Sequence, residues 1–165
     1  MSRLSPLFVL ARALVWGSAF VALVLVYLPA EVLRRSGVRA PDRPGAVQIV
    51  GAALVALGIV LMVWSLLMFV FRGRGTAAPF DPPRALVMEG PYRYVRNPMY
   101  LGAMASLLGA AVYCGSVSLV VYLVVFALWA HSFVVGYEEP RLRRTFGDDY
   151  AAYAARVRRW MPGRR

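Results

Sequence analysis

Between Met99 and Tyr137 the chain runs for 39 residues without one Asp, Glu, Lys or Arg. A helix crosses the roughly 30 Å hydrocarbon layer of a bilayer in about 20 residues. The run is therefore about twice too long for one crossing and has to fold back on itself. Tyr113-Cys114-Gly115-Ser116, near its middle, is where a turn belongs. Two further apolar segments precede it: 7–28, interrupted only by Arg12, and 46–71, with no charge at all. The pattern predicts an all-α integral membrane protein, a single domain over 1–165, with four transmembrane helices at about 7–28, 46–71, 98–114 and 117–137.

Composition agrees. Hydrophobic residues are 60% of the chain and charged residues 16%, against roughly 45–50% and about 25% in soluble domains. That excludes a disordered chain and argues against an ordinary soluble domain. Segment 7–28 is longer than the 7–15 apolar residues of a signal peptide, so it is expected to stay as a helix, with Arg12 snorkelling to the interface. The net charge is +11, and all 19 basic residues are Arg. Beside long apolar runs, such a surplus points to a membrane face rather than to nucleic acid. With both termini on one side, the opposite side holds only Arg34, Arg35, Arg39 and Arg43. The positive-inside rule then places both termini in the cytoplasm of an inner or plasma membrane.

The stretch 72–97 is rich in turn formers, ending in Gly90-Pro91. The segment 140–162 carries Tyr150, Tyr153, Val157 and Trp160 at i, i+3, i+7 and i+10, with Arg156, Arg158 and Arg159 off that stripe. It reads as an amphipathic helix lying along the membrane surface.

Several motifs fail on their context. Gly73-Arg74-Gly75-Thr76-Ala77-Ala78 follows a membrane helix rather than a strand, and Pro79 breaks the helix a dinucleotide site needs. His131 and Cys114, the lone members of their types, make neither a metal site nor a disulfide. What remains is a juxtaposition. The third span starts at Asn97-Pro98, a capping Asn and a proline at the first helical position, where free N–H groups favour an anion. The fourth ends on the same side at Glu138-Glu139, where the helix dipole disfavours negative charge unless something cationic compensates. Local pairing of Glu139 with Arg143 and of Glu138 with Arg141 would supply that compensation without any ligand. His131 lies two turns before Glu138 on the same face, either a packing residue or an intramembrane functional group.

The stretch Gly90-Pro91-Tyr92-Arg93-Tyr94-Val95-Arg96-Asn97-Pro98-Met99-Tyr100-Leu101-Gly102, followed about 35 residues on by Glu138-Glu139-Pro140-Arg141-Leu142, resembles the paired signature of membrane-embedded S-adenosylmethionine-dependent methyltransferases. These are the isoprenylcysteine carboxyl methyltransferases and phospholipid N-methyltransferases. Asn97, Ala105 and Val135 depart from the first branch, and the core motif looks more like the second, while Phe146-Gly147-Asp148-Asp149-Tyr150 and the residues to Pro162 look more like the first.

The resemblance implies S-adenosylmethionine as cofactor, a lipophilic acceptor (phospholipid amine or isoprenylcysteine-like carboxylate), membrane lipids as surroundings, and neither nucleic acid nor metal as partner. It implies that Tyr92, Arg96, Asn97, Pro98, Tyr100, Gly102, Glu138 and Glu139 bind the cofactor. A glutamate would hold its cationic part, and Arg96 with the helix start at Asn97 its anionic part. Gly102 would admit it close to the backbone, and Tyr100 would meet the adenine. His131, Glu138 or Glu139 would take the proton from an amine acceptor. Two other classes stand beside this one: a steroid-reductase-like oxidoreductase using NADPH, against which the paired acids speak because they repel phosphate, and a non-enzymatic four-helix membrane protein.

Overall fold

The computed structural model describes residues 18–19, 21–39, 41, 43–73 and 85–163. Arg12, the first half of the first apolar segment and the Gly75–Ala78 motif lie outside them. Among the described residues the secondary structure is helical, without β-strands. A π turn, Ala22–Tyr27, leads into α1, Leu28–Ser36. α2 is Ala46–Met68, continued by a π turn, Phe69–Gly73. A 3-10 turn, Gly90–Arg93, precedes α3, Pro98–Cys114. α4, Val117–Phe133, passes through a third π segment, Val134–Glu138, into α5, Glu139–Arg156.

Two helical stretches, Ala46–Met68 and Val117–Arg156, are long and apolar enough to cross a membrane, and Pro98–Cys114 is a shorter apolar helix. The turn expected at 113–116 is present. Gly115, at φ 60°, closes α3 in the left-handed region, and Ser116 Oγ accepts the Leu119 N–H to cap α4.

Two expected boundaries are corrected. The first helix does not stop at Leu28 but runs through Pro29 to Ser36, and Gly37, at φ 69°, ends it. Nor does the fourth stop at Glu138-Glu139; it continues through Pro140 as one helical path to Arg156, kinked at Gly147 (φ 51°). In both places a π segment ends within two residues of the proline. A proline lacks an N–H and its ring collides with the carbonyl four residues back. A π turn shifts the bonding to five residues back, which lets the chain accept the proline and remain helical. Glu139 is therefore not at a helix carboxyl end, and the expected dipole penalty does not arise there.

α2 and α3 are antiparallel and approach to backbone contact. Gly51, Gly58 and Ser65 are buried on α2 at a spacing of seven, and the two glycines face Gly109, Ser106 and Gly102 on α3. A Cβ on Gly109 would lie 2.6 Å from Gly51 O, and one on Gly102 2.6 Å from Gly58 O. Small residues at helix spacing permit this approach, which packing forces then exploit where the surroundings are as apolar as the side chains. Gly102 thus serves helix packing, against the expectation that it admits a cofactor. Further out, Phe126, Ala103 and Leu107 form a core with Val24, Leu25, Met62 and Leu123 around them, and Tyr122 Oη donates to Val24 O at 2.8 Å.

A second, separate core gathers Tyr150, Tyr153, Ala154 and Val157 with Leu86, Leu142 and Phe146. The aromatic stripe assigned from sequence to the membrane surface is here turned inward: Tyr150 is 2% exposed and Tyr153 5%. The reason is hydrogen bonding. Tyr153 Oη donates to Tyr92 O at 2.7 Å, and Tyr150 Oη accepts from Arg96 Nη1 at 3.2 Å. Both polar ends are satisfied inside the protein, so the rings do not need an interface.

Replacing Gly58 with Ala should lower stability by about 1–3 kcal/mol, because the added methyl meets the α3 backbone at Gly102 and Ser106 as well as the Ser106 hydroxyl, and the backbone cannot swing aside. Thermal unfolding of the detergent-solubilised protein measures this; an unchanged midpoint would show that the helices are not held at backbone contact.

Candidate functional site

Between the two cores lies a cavity of about 110 Å3, walled on one side by Arg96, Asn97, Tyr100, Glu138 and Glu139 and on the other by Phe69, Leu86, Val87, Val134 and Leu142. It is smaller than the roughly 300 Å3 at which sites for whole small molecules begin.

The two acids differ sharply in their partners. Glu139 is 7% exposed and clasped by Arg159, whose Nε and Nη2 donate to its two oxygens at 2.6 and 2.9 Å, and by Arg96 Nη1 at 3.2 Å. Burial alone would push its carboxyl up. The Arg159 hydrogen bonds and the charges of Arg96, Arg159 and Arg143 outweigh that and hold it below the ordinary carboxylate range. Glu138 receives one hydrogen bond, from Tyr100 Oη at 2.7 Å, and no ion pair among the described residues. Burial pushes its carboxyl up, the Tyr100 bond opposes this, and the adjacent Glu139 adds to the rise. Among the described residues neither local pairing considered from sequence, Glu139 with Arg143 or Glu138 with Arg141, is a salt bridge. Arg141 Nη1 instead donates to Tyr137 Oη at 2.7 Å, and Arg143 lies over the Tyr150 ring.

Arg96 holds the wall together and leaves one donor open. Its Nη1 reaches Glu139 and Tyr150, while its Nε is buried without a hydrogen-bond partner. A buried unsatisfied donor costs on the order of 1–3 kcal/mol. An anion would relieve it. Asn97 does not cap α3 with its side chain, as the sequence suggested; its Nδ2 donates to Arg159 O at 3.2 Å. That bond, with Arg96 N to Arg158 O at 2.9 Å and Gly163 N to Tyr94 O at 3.2 Å, straps the carboxyl-terminal segment antiparallel to 94–96. The first-turn N–H groups of α3 are left unoccupied by Asn97, beside the cavity.

Of the residues expected at a site, Tyr92, Arg96, Asn97, Tyr100, Glu138 and Glu139 all line this cavity. Pro98 is fully buried behind it and Gly102 is in the helix contact. His131 is elsewhere: its Nδ1 accepts from Trp160 Nε1 at 3.0 Å, in a separate depression. Tyr92 packs edge-on against Phe69 and stays a neutral group, its hydroxyl raised by burial and by the neighbouring Tyr153 and Glu138 despite a bond to Ser65. Sequence reasoning did not find Arg159, Tyr150 or Tyr153. The aromatic stripe was the available signal, but a stripe does not say which apolar surface it meets.

A family model described as phospholipid methyltransferase matches residues 46–149, spanning α2, α3, α4 and the first part of α5 and leaving the Arg159 strap outside. A protein of Haemophilus influenzae described as uncharacterized is 33% identical over 63 residues, which is 38% of this chain and 100% of that one. No solved structure matches.

Glu139→Gln should cost about 2–4 kcal/mol, since it leaves two arginines facing a neutral group in a mostly buried site. Because the folded-state value of Glu139 is depressed, its contribution is present above the unfolded carboxylate range and is lost as pH falls through the folded value. The melting temperatures of wild type and Glu139→Gln should therefore converge on acidification. A gap that stays constant from neutral pH to pH 3 would contradict the ionic clasp.

Proposed function

The chain belongs to the phospholipid methyltransferase family, and we propose that it transfers a methyl group from S-adenosylmethionine to a lipophilic acceptor at the cytoplasmic face of the membrane. The observation that carries this is one cavity holding both a carboxylate with no ion pair among the described residues, Glu138, and a buried donor without a hydrogen-bond partner among them, Arg96 Nε. The pair is complementary to a zwitterion that also bears a cation. Glu138 is the candidate for the cationic part; Arg96 Nε and the open N–H groups of α3 are the candidates for the carboxylate. The cavity volume suits the amino-acid end of such a ligand, not its nucleoside.

In this reading the four apolar segments all cross the bilayer, and the arginine distribution keeps both termini and the cavity on the cytoplasmic side. When bound, the cofactor supplies a methyl activated by a sulfonium, transferred by direct displacement. The protein's part is to orient and to exclude water. Phe69, Val87 and Leu142 make the apolar wall that strengthens attraction at Glu138. Tyr100 fixes the Glu138 carboxylate by its hydrogen bond and so sets where that charge sits. Glu139, neutralised by two arginines, keeps the wall in shape and has no charge to spare. If the acceptor is an amine, Glu138 is the carboxylate in the cavity with capacity to take its proton.

Glu138→Gln should weaken S-adenosylmethionine binding at least about tenfold, the loss of one charge-assisted contact, while the unliganded protein unfolds at the same temperature or higher. Titration calorimetry reads the first and thermal unfolding the second. Wild-type affinity in the variant would remove Glu138 from the site. Since the carboxyl of Glu138 is raised above the ordinary carboxylate range, binding a cation to it should strengthen as pH rises through that raised titration, with release of a proton wherever the free carboxyl is still protonated. Calorimetry in buffers of different ionisation enthalpy detects that release.

A further inference from the structure

A second depression opens on the outer surface between α3 and α4. Leu101, Met104, Ala127 and Leu128 are among its walls, and His131 and Trp160 lie at the end nearest the carboxylates. It encloses about 310 Å3, within the range of small-molecule sites. Apart from that end its lining is hydrocarbon, on two helices whose uncharged length places it at the depth of lipid tails.

The polar end has a defined chemistry. An indole N–H only donates, and Trp160 Nε1 sits 3.0 Å from His131 Nδ1. Nδ1 is thus the acceptor, and a neutral imidazole carries its proton on Nε2. His131 therefore offers a hydrogen-bond donor at the mouth of the groove, and no free lone pair. The groove adjoins the cavity across a single aromatic contact and shares no lining residue with it. Trp160 meets the Tyr100 ring edge-on at 6.3 Å, and Tyr100 Oη bonds Glu138. A polar group at His131 is one aromatic layer from the carboxylate.

We infer that this groove seats the methyl acceptor, a phospholipid with one acyl chain along α3 and α4 and its phosphodiester accepting a hydrogen bond from His131 Nε2. His131 is then a residue that selects the acceptor by its anionic oxygen, and not the base considered from sequence. Trp160 is a positioning residue, holding the imidazole in the donating tautomer. The inference rests on the methyl-transfer reading, yet occupancy of the groove is measurable without it.

The full chain is reconstituted in phosphatidylcholine vesicles containing phosphatidylethanolamine with a diazirine in one acyl chain, and photo-adducts are mapped. Adducts concentrated on Leu101, Met104 and Leu128, and reduced at least tenfold by Ala127→Trp, are the expected result. Adducts spread evenly around the apolar surface, or indifferent to Ala127→Trp, overturn it. A second arm measures methylation of phosphatidylethanolamine. His131→Ala should raise the acceptor KM about tenfold or more with a much smaller change in kcat, and His131→Gln, which keeps an N–H, should recover most of the loss. A collapse of kcat at unchanged KM would make His131 the base and overturn the assignment. S-adenosylmethionine binding without methylation of any phospholipid would overturn the choice of acceptor. Failure of the wild type to bind S-adenosylmethionine would instead sink the methyl-transfer reading, while the photo-adduct map still decides the groove.

Discussion

The clasp of Glu139 by Arg159 and Arg96 is the interaction on which the rest of this end of the molecule depends. It joins three stretches remote in sequence: the turn before α3, the junction of α4 with α5, and the strap after α5. Each charge would be costly to bury alone, and together they are tolerable because Arg159 engages both carboxylate oxygens and Oε1 is shared with Arg96. The clasp acts beside the hydrogen bonds that strap the carboxyl-terminal segment to 94–97, and without it buried Arg96 and partly buried Arg159 would lose their compensating carboxylate.

The clasp also explains how two adjacent acids come to differ. Neighbouring residues on a helix point about 100° apart, so Glu139 turns to the arginines and Glu138 to the cavity. One carboxylate is consumed by structure, which leaves the other exposed to its low-dielectric surroundings with a single tyrosine for company. A charge held that way is poised for a cation from outside. The π segment at Val134–Glu138 sets the facing, because it adds to the helix turn just before the pair and carries the chain past Pro140.

Much of this was legible in residue order, and the failures have physical causes. Apolar run lengths located α2, α3 and α4 closely, since burying or solvating twenty apolar residues leaves few alternatives. The motif residues Tyr92, Arg96, Asn97, Tyr100, Glu138 and Glu139 do converge on one cavity. The helix ends near Leu28 and Glu138 were placed short because the apolar runs end there, whereas the helical path continues through Pro29 and Pro140 where a local π turn removes the proline clash. The Tyr150 stripe was sent to the lipid because periodicity reports that a helix has an apolar face and says nothing of what covers it. Gly102 looked like a place for a ligand to approach, but the backbone that approaches it is Gly58.

Sequence by itself determined the helical, apolar class of the molecule and the pairing of a turn motif with two acids, because hydrophobic length and residue order are properties of the chain. Only the tertiary structure decided which glutamate is clasped by arginines and which is held by Tyr100 alone among the described residues, that Arg96 keeps an unsatisfied nitrogen among them, and that His131 Nδ1 is taken by Trp160. Those are matters of which groups compete for the same hydrogen bonds. Arg159, twenty residues from Glu139, and Trp160, twenty-nine from His131, enter that competition only once the chain has folded back.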